Sequence, residues 1–446
     1  MNIKIVLVAT LICSVSTTSV AGEDLMKDII TTADQLYGQG RFTEARAAYQ
    51  LALQGHPDDS QLLQKMGTLA LWENNTDQAT SYLQQAEQHS GWWGRCWPMS
   101  AQRAYRMGSV YARKGDYPNA ALWYKRATGL WAFGPLKQVK AMQQQMEAFG
   151  ETLPYQIDGP AETRLSFIML DPLPVVEIHI NDQGPYRFFI DTGGADLILT
   201  NRLARKLGVE GYGELSGSFA GGKEGQVGLG KLDSVTLKEI TVRNLPVHMM
   251  ELEGIDEIFN TRIDGAIGTS LLRHFYSTIH YANSELILRQ ITAQARIEMD
   301  KLSATGISIP FWLVEQHMIM ARGQVNALPE TLFFVDTGLA DRGFLIPQTT
   351  ADAAGLSFDW SKASESSGGG GKIKELHFEL DKVTLGAGDQ QISKRQVKAS
   401  KHQGELAIFT GALGFEVGGL ISHDFFRDTA LTLDVVDMRL ILNPAL

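Results

Sequence analysis

The sequence is poor in the features that fix a compartment or a cofactor on their own. It holds two cysteines, Cys13 and Cys96, in 446 residues. Removal of the leader described below would leave Cys96 alone. One cysteine cannot close an internal disulfide, so packing must hold the fold. Positive charge is also short: 40 Lys and Arg face 50 Asp and Glu, a net charge of −10. That balance argues against a nucleic-acid or anionic-membrane surface. No apolar run reaches the length of a bilayer-spanning helix. The ten histidines show no ligand spacing such as two His at a helical offset with a Glu. His274 and His423 sit near repeated segments but one residue out of register, which suits surface or packing roles. There is no Gly-x-Ser-x-Gly elbow for a serine hydrolase. The run Gly368-Gly369-Gly370-Gly371 follows no strand and lacks the Lys-Ser or Lys-Thr of a phosphate loop. Neither metal nor cofactor is expected.

What is present falls into three parts. Lys4, the apolar stretch Ile5–Ile12 and Ser19-Val20-Ala21 have the form of a secretory leader over 1–21, with export to a bacterial periplasm or similar space as the expectation. Ile12 before Cys13 is too bulky for a lipidation signal. Residues 23–150 read as helices, with small and apolar residues at helical spacing and Gly or Pro at the turns. Ala45 to Ala79 is a 34-residue step and Ala79 to Ala120 a 41-residue one, so an insertion carrying Trp92, Trp93 and Trp97 separates two repeats. Those tryptophans are expected to pack on a neighbouring domain or to serve as exposed contacts. Pro154, Gly159 and Pro160 mark 151–164 as a linker.

The remainder is organised around a tripeptide that occurs twice: Phe189-Ile190-Asp191-Thr192-Gly193 and Phe334-Val335-Asp336-Thr337-Gly338. Each copy follows an apolar run and leads into an Ala-Asp pair, Ala195-Asp196 and Ala340-Asp341. An apolar strand ending on Asp-Thr-Gly presents a carboxylate at a tight turn, and the glycine lets a second backbone approach. The later parts correspond too. Thr278–Leu288 aligns with Thr432–Leu442 without a gap, each an apolar–turn–apolar hairpin, and Asp264-Gly265-Ala266-Ile267-Gly268 lies at the same offset as Gly418-Gly419-Leu420-Ile421-Ser422. Two similar lobes follow, over 165–295 and 303–446. Two carboxylates brought face to face can share one proton.

This pattern resembles the retropepsin-like aspartic proteases, with two lobes in one chain as in pepsins. The helical region resembles tetratricopeptide-type repeats. Together they imply a multidomain chain: an all-α repeat domain followed by a mostly-β bilobal acid-protease fold. The resemblance implies Asp191 and Asp336 as the catalytic pair, with Thr192, Gly193, Thr337 and Gly338 supporting the loops. Ser218, Phe219, Gly221 and Gly222 fall where the family carries its flap over substrate, and Gly368–Gly371 is the second-lobe candidate. Ala266-Ile267-Gly268 fits the family's segment beneath the catalytic loop, whereas Ser422 replaces its glycine. The position after the tripeptide, often a hydroxyl residue in pepsins, is Gly194 in one lobe and Leu339 in the other. Fewer donors imply a pair that keeps its proton to higher pH, with an optimum nearer mildly acidic or neutral conditions. Asp196 and Asp341 align and read as local turn formers.

The expected activity is endopeptidase hydrolysis by an activated water, with a peptide or protein as substrate and a possible protein partner on the concave face of the repeats. The alternatives are a protease fold that binds peptides without cutting them, kept open by Ser422 and Leu339, and a scaffold whose repeats carry the function or act only as a spacer.

Overall fold

The computed structural model describes residues 19–91, 99–130, 136–368 and 371–444. The first eighteen residues of the expected leader, both cysteines, Trp92, Trp93, Trp97, Gly369 and Gly370 lie outside the described residues.

The N-terminal part is a stack of helices: α1 (Ser19–Gly38), α2 (Phe42–Gly55), α3 (Ser60–Trp72), α4 (Thr76–Gln88), α5 (Met99–Arg113), α6 (Tyr117–Leu130) and α7 (Leu136–Glu147). Local chemistry sets the starts. Asp59 Oδ1 accepts the Gln61 and Leu62 amides at the head of α3, and Asn75 Oδ1 accepts the Gln78 amide at the head of α4. Small residues set the spacing. A Cβ on Gly67 would stand 2.7 Å from Leu83 Cγ, and one on Gly108 would stand 2.5 Å from the Tyr124 ring.

Part of the helical surface, carrying Tyr37, Phe42, Trp72 and Arg106, is covered within the chain. The second lobe occupies it. Phe42 and Trp72 pack edge-on against Phe415, with ring centroids 4.9 and 5.5 Å apart, and Phe42 also meets Trp312 at 5.3 Å. Arg106 pairs with Glu315 at 2.8 Å, Tyr105 donates to the same carboxylate at 3.1 Å, and Arg113 donates to the backbone carbonyls of Leu313 and Glu315. At the other end α7 reaches the first lobe, where Gln145 Nε2 donates to the Gly230 carbonyl at 2.8 Å.

The stretch 151–164, expected to be a linker, is built into the sheets. Gln156–Asp158 pairs with Ile240–Met250, and Glu162–Ser166 pairs with Glu285–Gln290. The first lobe then forms an eight-stranded sheet and the second lobe most of a thirteen-stranded one. One end of the larger sheet joins the lobes. Its strands run in the order Ile307–Val314, Arg439–Pro444, Thr429–Asp434, Phe275–His280, Glu285–Gln290, Glu162–Ser166, three from each half. At the centre, Phe275–His280 pairs antiparallel with Thr429–Asp434, Thr278 stands opposite Thr432, and their hydroxyls are 2.8 Å apart. The aligned hairpins of the sequence thus meet on a pseudo-twofold axis. One core cluster runs through both lobes, including Ile178, Phe188, Ile279, Phe333 and Leu431.

Candidate active site

Each Asp-Thr-Gly ends a buried strand, Gln183–Ile190 in one lobe and Thr331–Val335 in the other. Each strand pairs in parallel with the short apolar segment expected beneath the loop: Phe189 opposite Ala266, and Phe334 opposite Leu420. The aspartate amides are tied alike, Asp191 N–H to the Ile267 carbonyl and Asp336 N–H to the Ile421 carbonyl, both at 3.0 Å.

The loops are locked to each other by a reciprocal exchange. Thr192 Oγ1 donates to the Val335 carbonyl at 2.9 Å and accepts the Thr337 amide at 3.0 Å. Thr337 Oγ1 donates to the Ile190 carbonyl at 3.3 Å and accepts the Thr192 amide at 3.1 Å. Both threonines are buried, so these bonds have no competition from water. The lock presses each carboxylate against the opposite glycine. A Cβ on Gly193 would lie 2.3 Å from Asp336 Cγ, and one on Gly338 would lie 2.4 Å from Asp191 Oδ1. A side chain at either position would displace the carboxylate across the axis.

Asp191 Oδ1 accepts the Gly193 and Gly194 amides at 2.9 and 3.1 Å. Asp336 Oδ1 accepts the Gly338 amide at 2.8 Å, and the Gly193 amide also faces it. Burial raises the pKa of Asp191, against the hydrogen bonds it receives. Burial raises Asp336 well above the carboxylate range, and the facing Asp191 charge adds to it. Two carboxyls placed so hold one proton between them while one oxygen pair stays basic.

The residues expected to form a flap contact the opposite lobe. The Gly221 amide donates to His402 Nδ1 at 3.2 Å, Ser218 Oγ accepts the Ala407 amide at 3.2 Å, and a Cβ on Gly222 would stand 2.4 Å from the Glu405 carbonyl. Phe219 packs in the first lobe's apolar cluster with Val227, Ile198 and Ala340. The second-lobe hairpin answers it: a Cβ on Gly254 would stand 2.7 Å from Ser367 Oγ, and one on Gly371 would stand 2.7 Å from Glu253 Oε2.

Two readings need correction. Asp196 and Asp341 are not equivalent. Leu197 pairs with Ile267 as Phe344 pairs with Ile421, so Asp196 corresponds to Gly343 and the second loop is two residues longer. Asp196 is not a local turn former either: its carboxylate accepts the Tyr155 hydroxyl at 3.2 Å and lies 3.3 Å from His248 Nε2. Asp341 is exposed, with φ at +57°. Sequence reasoning missed the buried group behind the second loop, in which Arg342 grips Glu375, 2 % exposed, with His402 Nε2 3.5 Å from the same carboxylate. A charged residue just past the tripeptide was the available signal. His274 stacks on Tyr155 at 3.9 Å and His423 is fully buried, so both pack. An open hollow of about 1080 Å³ lies elsewhere, between the α1–α2 turn and the second lobe, lined by Arg41, Glu44, Arg322 and Phe415. Among the described residues no group of three or more His, Cys, Asp or Glu is placed to hold a metal ion, and no helix is long and apolar enough to cross a membrane.

A family model described as aspartyl protease matches residues 176–271, which include Asp191, and one described as tetratricopeptide repeat matches residues 65–135. The suspected pairing of helical repeats with an aspartyl protease domain is therefore present in this chain. No curated protein matches it.

Proposed function

We propose that this protein is an exported aspartic endopeptidase in which Asp191 and Asp336 activate a water for attack on a peptide bond. The reading is carried by one observation: the Thr192–Thr337 exchange that presses each carboxylate against the other loop's glycine. The ionised carboxylate takes a proton from the water as it attacks the carbonyl carbon. The protonated one donates to the carbonyl oxygen as charge develops there, and the leaving nitrogen receives a proton from the pair. The tripeptide glycines and threonines position the loops, and Ser218–Gly222 covers the bound peptide. The helical repeats support the second lobe, which packs on Phe42, Trp72 and Arg106. Both carboxyls are shifted upward. Loss of the base's charge on acidification and loss of the shared proton at high pH therefore both move up, and the activity window lies on the mild side of the usual carboxylate range.

A peptide-library digest read by mass spectrometry tests this. Asp191→Asn and Asp336→Asn should each lower cleavage by roughly 10²–10⁴-fold, with folding intact. Cleavage retained by either variant would sink the assignment. Export is tested by the N-terminus of the mature chain, expected at Gly22.

A further inference from the structure

The two halves of the site differ in one hydrogen bond, and a side chain absent from the first lobe causes it. A Cβ on Gly268 would lie 2.3 Å from the Asp196 carbonyl, 2.5 Å from that of Ala195 and 2.7 Å from that of Gly194. The first loop can therefore lie flat on this segment: the Thr269, Ser270 and Gly268 amides bond to the carbonyls of Gly194, Ala195 and Asp196. The Gly194 amide is left for Asp191 Oδ1. In the second lobe the equivalent residue is Ser422. Two of the three bonds recur there, from the Ser422 amide to the Gly343 carbonyl and from the Asp424 amide to the Arg342 carbonyl, and the difference lies next to the tripeptide, at Leu339. The space is taken by the Ser422 hydroxyl, which is fully buried. Its Oγ accepts the Leu339 amide at 3.2 Å and donates to the Leu339 carbonyl at 3.2 Å. Leu339 is the counterpart of Gly194, and its amide is the one that would otherwise face Asp336.

We propose that Ser422 decides which member of the pair holds the shared proton: by capturing the Leu339 amide it leaves Asp336 one amide from its own loop against two for Asp191, so Asp336 is the acid and Asp191 the ionised base. An amide donated to a carboxylate favours its charged form; the Gly193 amide faces both carboxylates and does not separate them, so the one with fewer amides of its own keeps the proton. The titratable group facing Asp336 is Asp191, and it acts in the same direction. Ser422 is a positioning residue, acting through the Leu339 backbone. The inference rests on the two aspartates working as a pair.

The test reads each carboxyl by itself. In full-length protein with ¹³Cγ-labelled aspartate, Asp191→Asn leaves Asp336 to titrate and Asp336→Asn leaves Asp191. Asp336 should titrate at higher pH than Asp191. Adding Ser422→Ala should move the Asp336 midpoint toward acid and leave the Asp191 midpoint in place. In the otherwise unaltered enzyme, Ser422→Ala should lower kcat/KM roughly tenfold on the alkaline side of the profile and spare the acid side. If Ser422→Ala does not fold, Ser422→Gly, the residue of the first lobe, should give the same shifts. Equal or reversed midpoints, or an Asp336 midpoint that ignores residue 422, would overturn the proposal. A chain that cleaves no peptide yet shows the asymmetric midpoints would sink the protease reading and leave this one standing.

Discussion

The two lobes carry the same Asp-Thr-Gly loop and bury it by different means. Phe189, Ile198 and Ala266 in the first lobe correspond by strand register to Phe334, Leu345 and Leu420 in the second. The first set packs within its own lobe, against Met250 at the end of Ile240–Met250 and against Phe259 and Ile263 beyond it. The second set packs against Phe42, Trp72 and Tyr49 of the helices, with Trp312 and Phe415 between. The first lobe has no insertion beside its tripeptide and straps the loop down with backbone bonds. The second has two extra residues, a serine in the strap and the buried Arg342–Glu375 pair behind it. The hydrogen bonds that set the carboxylates are the same on both sides except one. Geometry at the reacting atoms is therefore fixed by a few short contacts, while the mass of apolar support around them is interchangeable.

If the helices are the second lobe's missing layer, removing residues 24–150 should have the largest effect. It would bare Trp312, Phe334, Leu345 and Leu420 together, an exposed apolar patch that a lone lobe could not leave wet. Soluble, cleaving protein from that deletion would break the comparison. A smaller cut sharpens it. Phe42→Ala should cost about 3–5 kcal/mol in urea unfolding, with helical and β signals falling in one transition. Helices melting ahead of the sheets would show the two parts to be independent. Next comes the pair found only in the second lobe. Arg342→Ala should cost about 3–5 kcal/mol, because it strands the Glu375 carboxylate, and Arg342→Met with Glu375→Leu should recover most of that. Burial pushes the Glu375 carboxyl up, but His402 and Arg342 outweigh it and hold it at about 2, below its ordinary carboxylate range. The folded pKa is depressed, so this contribution is complete above the unfolded value and lost as pH falls from about 4.5 toward 2. The double variant should flatten that part of the stability–pH curve.

How much of this was legible in the sequence varies with the range of the contact. The aligned hairpins placed Thr278 against Thr432, and Ala266-Ile267-Gly268 lies under its loop, because period-2 apolar strands and a repeated tripeptide leave few registers open. The same alignment mismatched Asp196 with Asp341. An Ala-Asp pair recurs at equal distance from both tripeptides, and only the strand pairing shows the extra residues to lie before Phe344. The occupied helical face was hidden for another reason. Nothing in Tyr37, Phe42 or Trp72 says whether an apolar repeat surface awaits a peptide or meets its own chain. Glu375 and His402 stand opposite each other across one long hairpin and Arg342 reaches them from the loop after the second tripeptide, so their partnership leaves no local pattern.

The smallest effect expected is at the point where the lobes touch over the cleft. The tip expected as a flap meets the second lobe through the Ser218–Ala407 bond and through a neutral acceptor, His402 Nδ1, which takes the Gly221 amide. Burial lowers the His402 pKa, with Arg342 and Lys401 adding to that and Glu375 opposing it. A proton on Nδ1 would remove the acceptor. Because the closed form binds that proton less readily than the open or unfolded form, closure is complete above the ordinary imidazole range near 6.5 and weakens as pH falls below it. One neutral hydrogen bond is worth about 1 kcal/mol, so amide exchange at Gly221 should quicken severalfold on acidification, after correction for intrinsic chemistry. His402→Gln keeps an acceptor that does not titrate, and in that variant the excess acceleration should vanish. Identical pH dependence in the two proteins would mean that this tip is held by packing at Phe219 and by the Ser218–Ala407 bond, and that the lobes share an aspartate pair without sharing a latch.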